Sequence, residues 1–328
     1  MSWLNKRVLV TGAGGFIGSH LTERLVREGA DVRAFVRYTS NGSPGLLGLA
    51  DPDVRSALDV VFGDLRDPDA VDAALGGREL VFHLGALIAI PYSYVHPTEV
   101  AAVNVIGTQN VLNAARRRQA HVIHTSTSEV YGTARYAPID EAHPLQPQSP
   151  YSASKIGADA LALSYHASFE LPVSVVRPFN TYGPRQSGRA VIPTIVAQAL
   201  HRDRIELGAL APTRDLLFVS DTVDGFLRSA AHPDALGTAT NLGTGVEVSI
   251  GELAERIVAL VGRDVPIRST EERVRPGASE VFRLVCDSGR ARERLGWRPR
   301  VALDAGLRDV IAFMRDHPDW TDAATYRV

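Results

Sequence analysis

Apolar residues gather, in the first half of the chain, into short runs separated by longer stretches that are apolar on one side only. KRVLVTG, VRAFVR, VVFGD, LVFHLGA, HVIHTS and VSVVRPFN are dense in branched and aromatic side chains, and each reads as a buried strand. Between them, FIGSHLTERLVREG, TEVAAVNVIGTQNVLNAARRR and SPYSASKIGADALALSYHASFE repeat apolar residues at helical spacing, and the first of these ends at Gly29. Strands alternating with helices predict an α/β fold whose parallel sheet is covered on both faces, because each parallel crossover needs a helix to return the chain. The last third breaks into shorter pieces, IPTIVAQALH, RDLLFVSD, IGELAERIVALVG and ARERLGW, and predicts a smaller mixed lobe with no linker at its boundary. NGSPGLLG, residues 41–48, is the most loop-like segment.

Composition narrows the function classes. With 328 residues, 45% hydrophobic and 22% charged, the chain is ordinary globular material, long enough for one large domain or two coupled ones. A formal net charge of −2 gives no electrostatic reason to expect nucleic acid or a membrane surface as partner. Cys286 is the only cysteine, so an intrachain disulfide is impossible and a reducing compartment is expected. The N-terminal residues run straight into a strand without the apolar core of a secretion signal. The longest nearly apolar run, LVFHLGALIAI, holds His83 and stops at Pro91, too short to span a bilayer. A cytoplasmic protein is the expectation.

TGAGGFIG, residues 11–18, follows the first strand and opens a helix, with glycines at 12, 15 and 18. Without Cβ atoms, such a turn lets backbone N–H groups and a helix N-terminus approach a pyrophosphate. The strand–turn–helix context separates a dinucleotide site from an ordinary tight turn. Gly12, Gly15, Phe16 and Ile17 are therefore candidate cofactor contacts. GDL, residues 63–65, ends a later strand, where Asp64 either accepts a hydrogen bond from an adenine amino group or closes a turn, with Leu65 beside it. NAD-selective sites carry an acid at the end of the second strand. Here that position holds Val36, followed by Arg37, which suits a 2′-phosphate. NADP is thus favoured over NAD, the alternative being an Arg on the solvated surface.

YSASK sets Tyr151 and Lys155 four residues apart at the start of a helix, with Ser149 as N-cap and Pro150 in the first turn, so both side chains share a face. A tyrosine with a pKa of ~10 is a poor base at neutral pH, and a neighbouring ammonium and an oxidised nicotinamide both favour the phenolate. TSTSEVYG, residues 125–132, puts hydroxyls and one carboxylate, Glu129, just past a strand's end. That is either a well-hydrogen-bonded turn or a floor on which chemistry is done.

Together, TGAGGFIG, HLGA, STSE and YSASK, with RPFNTYGP, RDLLFVSD and GWRPRVALDAGL further on, resemble the extended short-chain dehydrogenase/reductase family over essentially the whole chain. The resemblance implies a Rossmann-type doubly wound parallel sheet in residues 1–178, with a return segment near 215–245, that binds NAD(P). It also implies a smaller C-terminal α/β domain, residues 179–214 and 246–328, that binds a nucleotide-diphosphate sugar. On the family pattern, Leu84 and Ala86 of HLGA line the cofactor, Thr127 holds the sugar's 4-hydroxyl, and Tyr151 removes its proton. Lys155 holds the nicotinamide ribose and lowers the phenol's pKa. Asn180 contacts the substrate diphosphate, Arg214 and Arg275 neutralise it, and Arg189 is a further substrate-binding candidate. A homodimer is implied as well, with a four-helix interface built partly from the Tyr151 helix.

Within that family, 4-epimerases usually follow the strand-end Ser/Thr with small or uncharged residues, whereas 4,6-dehydratases carry Thr-Asp-Glu or Thr-Ser-Glu. This chain has Thr127-Ser128-Glu129. Oxidation at C4 acidifies the C5 proton, and a carboxylate must take it while the C6 hydroxyl leaves as water; an epimerase needs no base at C5. Ser128 stands where the Thr-Asp-Glu version has an acid, so either Glu129 passes the proton to the leaving hydroxyl or Ser128 orients a water that does. Thr-Ser-Glu and the Val36-Arg37 pair resemble GDP-mannose 4,6-dehydratases, and SPYSASKIGADALA and RVRPGASEVFRLVCD look closer to dehydratases of a GDP-linked N-acetylhexosamine, which favours a GDP-sugar and leaves UDP- and dTDP-sugars open. The rival from another class is a non-catalytic dinucleotide sensor, against which the intact Thr127, Tyr151 and Lys155 argue.

Overall fold

The computed structural model describes residues 2–270 and 281–320. Strand β1 (Arg7–Thr11) is followed by α1 (Phe16–Arg27), β2 (Asp31–Arg37), α2 (Pro52–Ser56), β3 (Asp59–Gly63), α3 (Pro68–Leu75) and β4 (Leu80–His83). Short helices α4 (Ile90–Val95) and α5 (Pro97–Ala101) lead to α6 (Gly107–Arg118), β5 (His121–Thr125), α7 (Pro150–Phe169) and β6 (Val173–Pro178). These six strands, with β11 (Ala239–Leu242), form one seven-stranded sheet in the order β11-β6-β5-β4-β1-β2-β3. All of its neighbouring pairs are parallel, as the alternation of strands and helices predicts.

The pleat explains why the strands read as nearly continuous apolar runs. Val8 and Val10 of β1 face a cluster with Leu21 and Leu25 of α1, while Leu9 faces the opposite cluster, with Leu75 of α3 and Leu112 of α6. Full burial of each such side chain contributes about 1.5–3 kcal/mol. Strand order reverses at β1, with β2 and β3 on one side and β4, β5 and β6 on the other. A crevice opens beyond the strand ends at such a switch point.

After β6 the chain makes β7 (Asn180–Tyr182), α8 (Val191–His201), β8 (Ile205–Leu207), β9 (Thr213–Arg214) and β10 (Leu216–Phe218). It returns to the large sheet as α9 (Val219–Ala231) and β11. It continues as β12 (Val248–Ser249), α10 (Ile250–Val261), β13 (Ile267–Ser269), β14 (Arg283–Leu284), α11 (Gly289–Leu295) and α12 (Leu303–Asp316). The strands outside the large sheet pair only in twos and threes: β7 with β10, β8 with β13, and β9 between β12 and β14. Sheets this small are not stable alone. They rest on an apolar cluster where Ile195 and Val196 of α8, Leu253 and Ile257 of α10, and Leu307 and Val310 of α12 meet.

Two segments differ from the expectation. Gly45–Leu49, expected as loop, is a turn of 3-10 helix, because Leu47 finds a place in the core at 1% exposure and the Leu46 N–H donates to Gly14 O at 2.9 Å. The long helix before β5 is interrupted by a π-helical turn, Ala102–Ile106, joining α5 to α6. Among the described residues, no helix is long and apolar enough to cross a membrane.

Candidate active site

The crevice is walled on one side by the glycine-rich turn. Gly15 caps α1, and its N–H closes the turn on Gly12 O at 2.9 Å. Gly12 adopts φ +69°, and a Cβ there would lie 2.7 Å from the backbone N of Gly85. A Cβ on Gly18 would lie 2.1 Å from Gly12 O. No side chain fits at either place, so the turn packs directly on the HLGA loop after β4 and leaves its amides bare at the helix start. This is the cradle a pyrophosphate requires, and the residues fit a dinucleotide.

Phe16 and Ile17 point from the helix start into the cluster of the second lobe, and Leu65 packs against Gly85. Leu84 and Ala86 lie half-buried in the loop after β4. That loop is latched by Asn104, in the π turn, whose Oδ1 accepts the Leu87 N–H at 2.8 Å. Its Nδ2 donates to Leu87 O and to Ser154 Oγ of α7, both at 2.9 Å.

At the end of β2, Val36 is buried against Gly14, and Arg37 is 65% exposed, 3.8 Å from a Glu99 carboxylate oxygen. The other oxygen of Glu99 accepts the Tyr92 hydroxyl. Asp64 is held by Arg66, whose Nε and Nη2 donate to it at 3.0 and 2.6 Å, and this guanidinium keeps its carboxyl below the usual range. The carboxylate nearest Arg37 therefore comes from α5, and sequence reasoning missed it, since nothing local ties Glu99 to β2.

The candidate reactive residues sit on the turn after β5 and at the start of α7. Thr127 caps the short turn Ser128–Tyr131, its Oγ1 accepting the Glu129 N–H at 3.2 Å. Ser149 caps α7 in a reciprocal capping box with Ser152, and Pro150 is in the first turn. The helix so begun carries Tyr151 and Lys155, 7% and 4% exposed. Lys155 Nζ donates to Thr125 O at 2.6 Å. Burial lowers its pKa to about 8, against the pull of the nearby Asp159 carboxylate.

Tyr151 lies within hydrogen-bond reach of the Thr127 hydroxyl. Its pKa is raised, by burial first; Thr127 works against that, and the Glu129 and Asp159 carboxylates add to it. The direction is opposite to the lowering expected from Lys155. Desolvation of the phenol prevails, and the Lys155 ammonium donates to the Thr125 carbonyl. Ser128 is 2% exposed, and Glu129 is close enough to Tyr151 for its charge to be felt there.

Asn180, at the start of β7, stands in register with Leu216, two residues from Arg214, so these two candidates are brought near one another. Asn180 Nδ2 is buried without a protein acceptor. Arg214 is 9% exposed, with Nη1 donating to Thr213 O at 2.8 Å. Arg189 stands exposed on the loop leading into α8, and Arg275 lies outside the described residues. Sequence reasoning also passed over Arg185, whose Nη2 reaches Glu23 of α1 at 2.9 Å and fastens the YGPR loop to the dinucleotide side. It passed over Asp159 beneath Lys155 too, although the i, i+4 spacing of Tyr151 and Lys155 continues to it.

A family model described as GDP-mannose 4,6 dehydratase matches residues 9–310. A UDP-glucose 4-epimerase of Mycolicibacterium smegmatis is 37% identical over 318 residues, covering 94% of this chain and 99% of the relative. A dTDP-glucose 4,6-dehydratase of Streptomyces antibioticus is 35% identical over 327 residues, covering 95% and 93% respectively. Among solved structures, the DesIV dTDP-glucose 4,6-dehydratase of Streptomyces venezuelae, with NAD bound, matches with a TM-score of 0.85 at 31% identity, covering 96% of this chain and 98% of that one.

Proposed function

Because this chain belongs to the extended short-chain dehydrogenase/reductase family, in its branch of nicotinamide-dependent nucleotide-sugar 4,6-dehydratases and epimerases, we propose that it is a 4,6-dehydratase making a nucleotide-linked 4-keto-6-deoxy sugar. The observation that carries this is Glu129, a carboxylate on the turn beside Thr127, within electrostatic reach of the Tyr151 phenol. A 4-epimerase has no use for a base at that place.

In this reading Thr127 and Tyr151 hold the sugar's 4-hydroxyl, and Tyr151 takes its proton. A bound nicotinamide supplies the acceptor for the C4 hydride and its donor at C6. Its positive charge also favours the phenolate, which the buried side chains alone do not. Lys155 presents its ammonium to the ribose. Glu129 removes the C5 proton made acidic by the 4-ketone. Buried Ser128 has no ordinary acidity to offer, so the same Glu129 carboxyl hands that proton to the departing C6 hydroxyl. Hydride at C6 and a proton at C5 complete a net loss of one water.

Residues 1–178 and the return near 215–245 hold the cofactor, and residues 179–214 and 246–328 hold the nucleotide sugar, with Asn180 and Arg214 at its diphosphate. Exposed Arg37, which answers to no acid on its own strand, supports NADP over NAD. The description of the matching family and the Thr127-Ser128-Glu129 order favour a GDP-sugar, with a UDP-sugar next. Ile106, 47% exposed on the turn packed beside α7, supports a homodimer through that face.

Glu129→Gln tests the reading. The variant keeps the side chain's shape, so it should still oxidise C4 and accumulate reduced nicotinamide, seen at its near-ultraviolet absorbance. Product should fall by about 10²–10⁴-fold, the usual contribution of one general base. Solvent deuterium, which enters C5 in the wild type, should no longer do so. Dehydration at the normal rate would remove Glu129 from the chemistry. The 4-epimerase reading, supported by the mycobacterial relative, would then replace this one.

A further inference from the structure

Asp159 lies one helical turn beyond Lys155 on α7 and is 1% exposed. Its Oδ2 accepts hydrogen bonds from Ser126 Oγ at 2.8 Å and from Arg177 Nε and Nη2 at 3.0 and 2.9 Å. Its Oδ1 is 3.2 Å from His124 Nε2, off-axis, so that neither atom has an aligned partner. Arg177, on β6, donates Nη1 to the Tyr131 hydroxyl at 2.8 Å, and Tyr131 donates onward to Asn241 Oδ1 of β11 at 2.8 Å. Burial pushes the Tyr131 phenol up to about 12, so it stays a donor. Burial works against the Asp159 carboxylate, but the charges of the Arg177 guanidinium and the Lys155 ammonium favour it and keep the group ionised.

A buried ion pair is weak evidence for a stabilising role, since its desolvation offsets most of its attraction. The placement of its ligands is more informative. Ser126 immediately precedes Thr127. Tyr131 closes the turn that carries Glu129. Lys155 shares the helix face of Asp159. We infer that Asp159 and Arg177 form a buried bracket that positions the two halves of the reactive centre, Lys155 through Asp159 and the Thr127–Glu129 turn through Ser126 and Tyr131.

The titratable groups that feel Lys155 are Asp159 from α7, His83 from β4 and His124 from β5, with Tyr151 one turn away on the same helix face. Burial holds both histidines below their ordinary pKa and leaves them neutral. Asp159 is therefore the carboxylate that keeps Lys155 an ammonium. The inference rests on the proposed reading only for the C4 oxidation that dehydratase and epimerase share, so it stands or falls separately from Glu129.

Asp159→Asn keeps the shape and deletes the charge. We expect kcat to fall about 10–10²-fold with the sugar's KM changed less than about threefold, the pattern of a misplaced reactive group. Losing a carboxylate disfavours the ammonium, so the alkaline limb of the pH profile should move to lower pH by about one unit. The chain has two lysines, Lys6 and Lys155, so NMR of protein labelled at lysine Cε reads the Lys155 titration without reference to activity. That midpoint should drop below about 8.

Tyr131→Phe removes a single hydroxyl from the other arm, which places Thr127. It should slow C4 oxidation by about 3–10-fold while leaving the Lys155 titration unmoved. A folded Asp159→Asn protein with the wild-type pH profile and lysine titration would reduce the bracket to a core ion pair. Should that variant fail to fold, Tyr131→Phe decides: an unchanged rate of C4 oxidation overturns the inference.

Discussion

Around the Tyr151 helix, Lys155, Asp159 and Arg177 are charged side chains at 4%, 1% and 4% exposure; at the end of β2, Arg37 is one at 65%, beside Glu99 at 27%. The residue types are alike and their behaviour is not. Water screens the Arg37–Glu99 pair, which is worth about 0–1 kcal/mol and can open for a ligand. Lys155 is buried, so its ammonium is held by the Thr125 carbonyl and burial moves its pKa to about 8 against the pull of the Asp159 charge. The buried end is committed to one chemistry, and the exposed end is adjustable.

The sharpest way to break that contrast is Tyr151→Phe. Losing one buried hydroxyl should leave the fold intact and lower the rate of nicotinamide reduction by substrate about 10³–10⁴-fold, followed as absorbance in a single turnover. A wild-type rate would take Tyr151 out of the proton transfer and, with it, most of the case for this wall as the reactive one.

Lys155→Met separates function from stability. The folded pKa of Lys155 lies below that of a free lysine, so between about pH 8 and 10.5 the unfolded chain binds the extra proton. Burying the ammonium therefore costs stability below pH 8, and this is recovered as pH rises through that window. Methionine has similar volume and no charge, while Asp159 keeps Arg177 and Ser126. We expect activity to fall at least ~10²-fold while stability at neutral pH rises by about 1–3 kcal/mol and the pH-dependent gain disappears. A lower melting temperature would show that the ammonium braces the fold.

The smallest effects belong to the rim. Arg37→Ala should weaken NADP about 3–10-fold in direct titration and leave NAD nearly unchanged. Glu99→Gln should strengthen NADP by about twofold or threefold, since it removes the charge that competes for Arg37. Equal losses for both dinucleotides in the first variant would place Arg37 outside the 2′-phosphate contact.

The legible parts of this molecule were those written in neighbouring residues. β1, the glycine turn and α1 follow one another in sequence, and Ser149, Pro150, Tyr151 and Lys155 announce their helix and its face. The rim and the bracket depend on residues that meet only when strands align: Arg37 with Glu99, Asp159 with Arg177. Asp159 was within reach of sequence reasoning, because it continues the Tyr151–Lys155 face by another turn. The raised phenol pKa was not, since it follows from burial and from where one ammonium points. Residues 41–48 were misjudged because Asn41, Ser43, Pro44 and the glycines mask one buried leucine, Leu47.

The π-helical turn at Ala102–Ile106 gives the long helix one residue more than an α-helical turn holds, and the turns on either side keep their faces: Val100 and Val111 are both buried. In genetic terms it is a place where a codon can come or go. Deleting one residue here should restore an unbroken α-helix with both flanks still facing the core. The same deletion within α6 would swing everything beyond it by about 100°. What the shorter helix would lose is the reach of Asn104 to Leu87 and Ser154, and with it the tie between the two walls of the crevice. A length variant at this point would therefore fold and accumulate normally while its turnover suffered, a change that abundance alone would never reveal.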